Sequence, residues 1–238
     1  TFGGYGGAVH MQSMPIHVHM CDFLNNSAYN GNYLQITGGG AISLSSSPEA
    51  IIMLSNFSYN NAFGSILFDA LYSQPGIGGA IFSRKSDLVI TGSEFTNNSA
   101  TARAGDKGSS GQLSMSGGGG AIAIVGAFLS GVKMEQVRFI SNYAFGSICH
   151  AHGRNGGLPS GTGGGVLILE TGTYPVKFTN CSWIENGAVS GFYGTKSPPY
   201  PAWGGGLAFT ETRAVLTDTV FSNNYIVCCE PQEAGECT

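Results

Sequence analysis

Charged side chains are scarce in this chain, and the usual signs of nucleic-acid or membrane binding are absent. Charged residues make up 10% of the 238 residues, and the formal net charge is −4. About 25% is usual for globular proteins. There is no basic patch, and no run of about 20 apolar residues could form a membrane-spanning helix. The composition therefore predicts no nucleic-acid partner and no membrane span in this chain.

Paired catalytic and metal-binding groups are also missing. Hydrolysis of a glycosidic bond needs two carboxyl groups that face each other, but the Asp residues before the last repeat each stand alone in the sequence. No Cys-x-x-Cys is present. His17 and His19 could in principle suit copper or zinc, yet outward-facing histidines on an exposed strand explain them more simply. We therefore predict no cofactor and no metal, and we name no catalytic residue.

Glycine is abundant instead, with 38 residues, and much of it lies in an internal repeat. Two motifs alternate six times. The first is a Gly pair, at Gly6-Gly7, Gly39-Gly40, Gly78-Gly79, Gly119-Gly120, Gly164-Gly165 and Gly205-Gly206. The second is an aromatic-x-x-Asn corner. The repeat recurs every 33 to 45 residues, while 15 to 19 residues lead from the second Gly to the aromatic. One fixed and one variable half predict a solenoid whose long loops emerge from one side.

The fixed half of the repeat carries the pattern of short β-strands. Apolar and mixed positions alternate before each aromatic, as at Ile16 and Val18. A second strand follows each Gly pair, with an apolar or small residue two positions on: Val9, Ile42, Ile81, Ile122, Leu167 and Ala208. A third lies beyond the corner, where small residues such as Ala28 recur. We predict an all-β parallel β-helix over residues 1–227, with about six coils and three short strands per coil. Residues 228–238 would be a Cys-containing cap or the start of a following module.

Stacking coil on coil would place equivalent side chains in vertical files. An aromatic file would run through Phe23, Phe57, Phe95, Phe139, Trp183 and Phe221. A file of amides would run through Asn26, Asn60, Asn98, Asn142, Asn186 and Asn224. Each amide can donate to one neighbouring coil and accept from the other. We therefore interpret both files as structural ladders rather than as catalytic groups.

The two motifs together resemble a known repeat family. Gly-Gly-Ala-Val/Ile is intact at Gly6 to Val9, Gly39 to Ile42, Gly78 to Ile81 and Gly119 to Ile122, and Phe-x-x-Asn occurs in five of six repeats. This pairing is similar to the repeats of polymorphic outer membrane proteins, which are adhesive autotransporter passenger domains. The resemblance implies a pectin-lyase-like, right-handed, single-stranded parallel β-helix located outside the cell or at its surface. Repeats five and six depart, with Gly164 to Leu167 and Gly205 to Ala208, which we interpret as a taper toward a capped end.

Four Asn-x-Ser triplets lie close to the corner aromatics. Their acceptor residues would be Asn25, Asn56, Asn97 and Asn180, and N-linked glycans there would decorate a single edge. A chain rich in Asn and Ser also produces such triplets by chance, so both interpretations stay open.

Six cysteines indicate an oxidising compartment. Cys21 and Cys181 occupy the same column but lie too many coils apart to bond. Cys149, in the loop that leaves coil four, could reach Cys181 in coil five. Cys228, Cys229 and Cys237 are typical of the start of a cysteine-stapled cap. The partner of Cys21, if it has one, stays open.

An apolar strip is expected on the outer side of the strand after each Gly pair. Its large members would be Phe82, Val166, Ile168, Leu207 and Phe209. An exposed strip of this kind exceeds what soluble monomers usually tolerate. Either the chain's own loops or a neighbouring subunit should cover it, which makes self-association a candidate property.

These patterns favour a non-catalytic, secreted structural or adhesive protein, glycosylated on one edge and a candidate subunit of an extracellular filament or surface layer. The alternative is a polysaccharide-binding or polysaccharide-cleaving enzyme of the pectin-lyase-like kind. His152-Gly153-Arg154 is similar to the His-Gly of polygalacturonases, but it stands in a Gly-rich loop without partner residues. Turnover of acidic polysaccharides would support the enzyme.

Overall fold

The structure, a computed structural model, describes residues 6–29, 37–64, 76–102, 117–127, 131–146, 161–189 and 202–227. Within these ranges every regular element is a β-strand, and every strand pairing is parallel. Strands pair with the equivalent strands of neighbouring repeats, as β7 with β12, β8 with β13 and β9 with β14. The predicted all-β, parallel and repetitive architecture is therefore confirmed.

The strands form four ladders, named here in the order in which the chain visits them. The first ladder comprises β1 (Val9–Gln12), β6 (Ile42–Ser45), β11 (Ile81–Arg84) and β15 (Ile122–Val125). The second comprises β2 (Ile16–His19), β7 (Ala50–Met53), β12 (Leu88–Thr91) and β16 (Val132–Glu135). In the last two repeats one long strand serves both ladders, β19 (Val166–Thr179) and β22 (Leu207–Thr217). The two ladders therefore join into one 10-stranded sheet.

The third and fourth ladders are separate sheets of six strands each. The third contains β3 (Asp22–Leu24), β8 (Asn56–Ser58), β13 (Glu94–Thr96), β17 (Arg138–Ile140), β20 (Ser182–Ile184) and β23 (Val220–Ser222). The fourth contains β4 (Ser27–Tyr29), β9 (Asn61–Phe63), β14 (Ser99–Thr101), β18 (Tyr143–Phe145), β21 (Gly187–Val189) and β24 (Tyr225–Val227). A short pair, β5 (Thr37–Gly38) and β10 (Gly76–Ile77), precedes two of the Gly pairs.

The prediction of three strands per repeat is wrong, because the corner aromatic itself lies in a strand. Phe57, for example, is the middle residue of β8 and is in register with Phe23 and Phe95. The turn that follows takes only two residues, Tyr59 and Asn60 in this repeat, which leaves room for a three-residue strand on each side of it.

The register predicted for the last two repeats is off by one residue. Val166 and Leu207, not Leu167 and Ala208, align with Ile122. The structural Gly pairs are accordingly Gly163-Gly164 and Gly204-Gly205, whose first members have φ of 64° and 57° like the earlier pairs. Each of these repeats therefore has Gly-Gly-Gly where the first four have Gly-Gly-Ala. The apparent taper is a substitution of Gly for Ala.

The core runs through all repeats as one continuous cluster. Its largest fully buried side chains include Trp183, Phe57, Phe95, Phe139 and Phe178. The first ladder is buried on both faces in its middle strands. Phe82 of β11 and Ala123 of β15 pack with Ile77 of β10 in a second, smaller cluster. Burial on both faces explains why β15 is apolar along its whole length.

The expected exposed strip is therefore wrong for most of its members. Phe82 is 3% exposed, and Val166 and Ile168 are fully buried. The one-residue register error had placed Val166 and Ile168 on the outer face, whereas both belong to the main core. Leu207 is half-buried, and only Phe209 is exposed, at 47%.

Left-handed residues turn the chain at the same two columns in every repeat. The column before the third ladder contains Met20, Leu54, Gly92, Gln136, Asn180 and Asp218, with φ from 50° to 57°. The column after it contains Asn25, Tyr59, Asn97, Ser141, Glu185 and Asn223, over the same range of φ. A bulky residue pays about 1–2 kcal/mol for this conformation. The stacking of the ladders therefore stabilises the left-handed corner even where the residue, such as Leu54 or Tyr59, disfavours that conformation.

Leu54→Asn should stabilise the protein by about 1 kcal/mol, since Asn tolerates the left-handed conformation far better than Leu. Leu54 is 51% exposed, so little buried apolar surface is lost. Leu24→Asn is the matched control, because Leu24 is 59% exposed but lies inside β3; it should be neutral or destabilising. Chemical denaturation measures both, and equal effects of the two substitutions would contradict the strain.

Candidate functional site

The aromatic rings of the third ladder form one uninterrupted stack. Ring centroids lie 4.7 Å apart for Phe23–Phe57 and Phe57–Phe95, 5.3 Å for Phe95–Phe139, 5.2 Å for Phe139–Trp183 and 4.6 Å for Trp183–Phe221. The interplanar angles do not exceed 18°. This spacing is that of adjacent β-strands, about 4.7–4.9 Å. Strand pairing therefore sets the ring geometry, and Phe178 adds one edge-on contact to Trp183, at 5.1 Å.

The corner asparagines form a second file, bonded from end to end. In each step the side-chain nitrogen of one Asn donates to Oδ1 of the next, at 2.8–2.9 Å, from Asn26 through Asn60, Asn98, Asn142 and Asn186 to Asn224. The backbone N–H of the same Asn donates to the same Oδ1, at 3.0 Å in every step. The residues joined in this way are 34 to 44 positions apart in the chain.

From Asn60 to Asn224, each side-chain nitrogen also donates a hydrogen bond to the carbonyl oxygen of the aromatic residue in the preceding repeat. Asn98 Nδ2 donates to the carbonyl oxygen of Phe57 at 2.9 Å, and Asn142 Nδ2 donates to that of Phe95 at 2.9 Å. Each inner Asn therefore uses two donors and two acceptor positions, which is the full capacity of an amide. Asn60, Asn98, Asn142 and Asn186 are completely buried. With every bond made, these amides are structural and offer nothing to a substrate.

A serine column, which the sequence patterns did not reveal, supports the corner from the other side. Ser55 N–H donates to Ser93 Oγ at 3.1 Å, and Cys21 N–H donates to Ser55 Oγ at 3.2 Å. Each hydroxyl in turn donates to the carbonyl two residues earlier, Ser55 to Met53 at 2.8 Å and Ser93 to Thr91 at 3.0 Å. In the sequence, Ser stands two positions before the aromatic in two repeats. Two occurrences of so common a residue do not predict a column.

The cysteines of this column take the place of serine. Cys21 Sγ contacts the carbonyl oxygen of His19 at 3.4 Å, and Cys181 Sγ contacts that of Thr179 at 3.3 Å. Both thiols are free, so the predicted bond from Cys181 to Cys149 is not formed at this residue. Burial raises the pKa of the Cys181 thiol above its ordinary value, which keeps it protonated and unreactive. Cys149, Cys228, Cys229 and Cys237 lie outside the described residues, as do residues 228–238 as a whole.

The four glycan acceptor candidates lie at or next to the corners. Asn25, Asn56 and Asn180 are exposed, whereas Asn97 is half-buried. Three of them, Asn25, Asn97 and Asn180, have the left-handed φ of the corner columns. Asn56 instead lies in β8, where its side-chain nitrogen donates to Asp22 Oδ1 at 2.8 Å.

The histidines do not assemble into a site among the described residues. His17 and His19 are exposed, and His17 Nε2 lies 3.7 Å from Glu49 Oε2 at the surface. No group of three His, Cys, Asp or Glu side chains in the described ranges could hold a metal ion. His152, Gly153 and Arg154 fall outside those ranges. Nor does the described part of the chain contain a helix long and apolar enough to cross a membrane.

The outer face of the fourth ladder carries aromatic side chains in two groups, which the sequence patterns did not single out and which Ser99 and Thr101 of β14 separate. Tyr29 stacks on Phe63 at 4.8 Å, and Tyr143 stacks on Phe145 at 5.9 Å. Tyr225 lies across Gly187, where a Cβ would come within 2.7 Å of its ring. Burial, with a hydrogen bond to Tyr143, raises the pKa of the Tyr225 phenol. We call these five residues the aromatic row; Tyr29 and Tyr225 remain 60% and 41% exposed.

Asn98→Asp tests the amide file with an isosteric change. The new oxygen would face Asn142 Oδ1 and the Phe57 carbonyl, which are both acceptors, so the protein should lose about 3 kcal/mol or more at pH 7. Burial and these neighbours would raise the folded-state pKa of the new carboxyl. Stability should therefore recover as pH falls through that raised pKa, toward about 3.9, the value in the unfolded chain.

The control for this substitution is Asn223→Asp, at an exposed corner position, which should change stability by less than about 0.5 kcal/mol. Urea unfolding at pH 7 and at pH 4.5 would measure both variants. If Asn98→Asp unfolded at the wild-type urea midpoint at pH 7, the hydrogen bonds of the amide file would not contribute to the stability of the fold.

Comparison with known proteins adds no relative to this picture. No family model, no curated protein and no solved structure matches the chain.

Proposed function

We propose that this chain is a non-catalytic, extracellular structural or adhesive protein, built as a right-handed, single-stranded parallel β-helix of about six coils. In-register pairing of each strand with its counterparts in the previous and next repeats supports the winding. Parallel crossover connections are right-handed in about 98% of cases, which supports the hand. Most of the variation in repeat length falls between the fourth ladder and the next Gly pair, which supports the proposal that the variable half of the repeat emerges on one side.

The observation that carries the proposal is the amide file. The side chains of the four inner Asn residues use all their donors and acceptors on one another, on the outer two and on the aromatic carbonyls. An Asn that recurs in every repeat and bonds in this way stiffens the stack of repeats. We infer that the protein provides a stiff, regular body and that partners bind to side chains on its surface.

An extracellular location is supported by the six cysteines and by the accessible acceptor candidates. Secreted from a eukaryotic host, the chain should carry N-linked glycans on Asn25, Asn56 and Asn180, with lower occupancy on Asn97, which is half-buried. Peptide mapping before and after enzymatic deglycosylation measures occupancy at each residue. Ser27→Ala is the control, since it removes the acceptor triplet of Asn25 without changing the corner. Four unmodified asparagines would contradict this part of the proposal.

The aromatic row favours a second candidate, a polysaccharide-binding or polysaccharide-cleaving protein. Sugar rings present C–H groups that pack on aromatic faces, and Tyr29 and Tyr225 leave such faces partly open. The row is part of a rigid sheet, as a binding platform should be. What it lacks, among the described residues, is an acidic pair beside it.

Incubation with an acidic and a neutral polysaccharide separates the two candidates. We expect the purified chain to release no reducing ends and no unsaturated products above a heat-unfolded control. We also expect beads coated with the folded chain to adhere to cell-surface or cell-wall material. Release of product by the wild-type chain would overturn the non-catalytic proposal. Retention on a polysaccharide affinity gel that is lost in Tyr29→Ala, without turnover, would favour the binding candidate.

A further inference from the structure

Asn186 differs from the other inner members of the amide file in the residue that follows it. It precedes Gly187, whereas Asn60, Asn98 and Asn142 precede Asn, Ser and Tyr. In a flexible chain, Asn followed by Gly is prone to deamidation, because Gly has no side chain to hinder attack by its backbone nitrogen on the Asn amide. The file therefore contains one member that is chemically labile whenever the chain around it is loose.

Two separate features of the fold require this dipeptide. Asn186 is required by the amide file, in which it bonds both Asn142 and Asn224. Gly187 is buried against Tyr225, and a Cβ at position 187 would lie 2.7 Å from Cζ of the Tyr225 ring. Any other residue there would displace the ring. The labile pair is thus built into this unit, because neither member can change without the loss of a contact.

The folded structure blocks the reaction at both reacting groups. Asn186 is completely buried, and its Nδ2 donates to Asn224 Oδ1 at 2.8 Å and to the Phe139 carbonyl oxygen at 3.0 Å. Its Oδ1 accepts from the backbone N–H of Asn142 at 3.0 Å and from Asn142 Nδ2 at 2.9 Å. The attacking group is held as well, since Gly187 N–H donates to the Asn142 carbonyl oxygen at 2.9 Å. Attack would require all these hydrogen bonds to break.

We propose that Asn186 is a deamidation site that the folded amide file keeps closed, that opens when β21 separates from its neighbouring strands, and whose products prevent this unit from closing again. In the open state, the backbone nitrogen of Gly187 loses its proton and bonds to Asn186 Cγ. The side-chain nitrogen leaves as ammonia, and a succinimide ring closes. Water then adds to one carbonyl of the ring and opens it to Asp or isoaspartate at position 186. Only water is consumed, so the reaction needs no enzyme, cofactor or oxidant.

Either product would interrupt the ladders at this unit. With Asp at position 186, an oxygen would replace Nδ2 opposite Asn224 Oδ1 and the Phe139 carbonyl, which are both acceptors, and a buried acceptor without a donor is costly. Isoaspartate lengthens the main chain by one carbon before Gly187, so β21 would lose its register with β18 and β24. Opening of this unit is therefore reversible at first and permanent later, which limits the kinetic stability of the protein.

Peptide mapping of the chain in concentrated urea and in native buffer, at one mildly alkaline pH and one temperature, tests the site. In urea, Asn186 should deamidate several-fold faster than Asn142, which has the same bonds in the folded protein but precedes Tyr143. Asn30-Gly31 and Asn155-Gly156, which lie outside the described residues, give the urea rate of the same dipeptide. In native buffer, the rate at Asn186 should fall in proportion to the fraction of molecules that are open.

Gly187→Ala, measured in urea, is the matched control for the chemistry. Its added Cβ hinders attack by the backbone nitrogen, so reaction at position 186 should drop to the rate of Asn142. The comparison does not require the variant to fold. Reaction of wild-type Asn186 in native buffer at its urea rate would overturn the protection by the fold. Equal rates at Asn186 and Asn142 in urea would overturn the site itself.

Refolding after timed exposure to urea tests the consequence. On dilution, the fraction of chain that regains the native circular dichroism spectrum should fall as intact Asn186 falls. The refolded fraction, isolated by size-exclusion chromatography, should be depleted in Asp and isoaspartate at position 186. Asn186→Asp should likewise unfold at a lower urea concentration than the wild type at pH 7. A refolded fraction as rich in both products as the whole sample would overturn the proposed block to closing.

Discussion

Registered stacking of identical side chains is the constraint on which the rest of this structure depends. A side chain in one repeat is satisfied only when its counterpart lies one strand spacing away, as Asn98 shows by bonding Asn60 on one side and Asn142 on the other. The bonded residues are close in space but 38 or 44 positions apart in sequence. The number of residues between two bonded Asn residues therefore differs from repeat to repeat without a change in the geometry of the ladder. Variable repeat length and a regular core can coexist in one chain for this reason.

Stacking also explains why the corners accept residues that are poorly suited to them. An isolated turn would select Gly or Asn at a left-handed position, yet Leu54 and Tyr59 adopt φ of 50° and 57°. Strands, rings and amides on both sides hold the corner, and together they outweigh about 1–2 kcal/mol of local strain. Cys21 and Cys181 can replace serine because a thiol, like a hydroxyl, reaches the carbonyl two residues back, and buried Val137 occupies the same column without such a bond.

The columns could be predicted from the sequence because aromatic and Asn residues recur at fixed distance from the strands they flank. For example, counting back the same number of residues from each aromatic aligns Val132 with Leu88 and Val176, as the structure shows. Counting from the Gly pair failed where Gly takes the place of the Ala that follows the pair, since Gly163, Gly164 and Gly165 allow two alignments, and the φ of 64° at Gly163 and the strand register choose between them. Burial of Phe82 was equally beyond reach, because its covering residue, Ile77, belongs to a two-residue strand without a pattern of its own.

The outer rows show where a stiff body of this kind could meet a partner. On the third ladder the polar side chains are occupied with one another: Asn56 donates to Asp22 at 2.8 Å, and Arg138 lies 2.9 Å from Glu94. Because these polar side chains already bond one another, few of them remain available to bind a partner, and exposed pairs of this type add little stability. The fourth ladder differs, because Tyr29 and Tyr225 keep ring surface open to solvent. Among the described side chains along the flank of the sheets, those of the fourth ladder are therefore the ones that remain available to a partner.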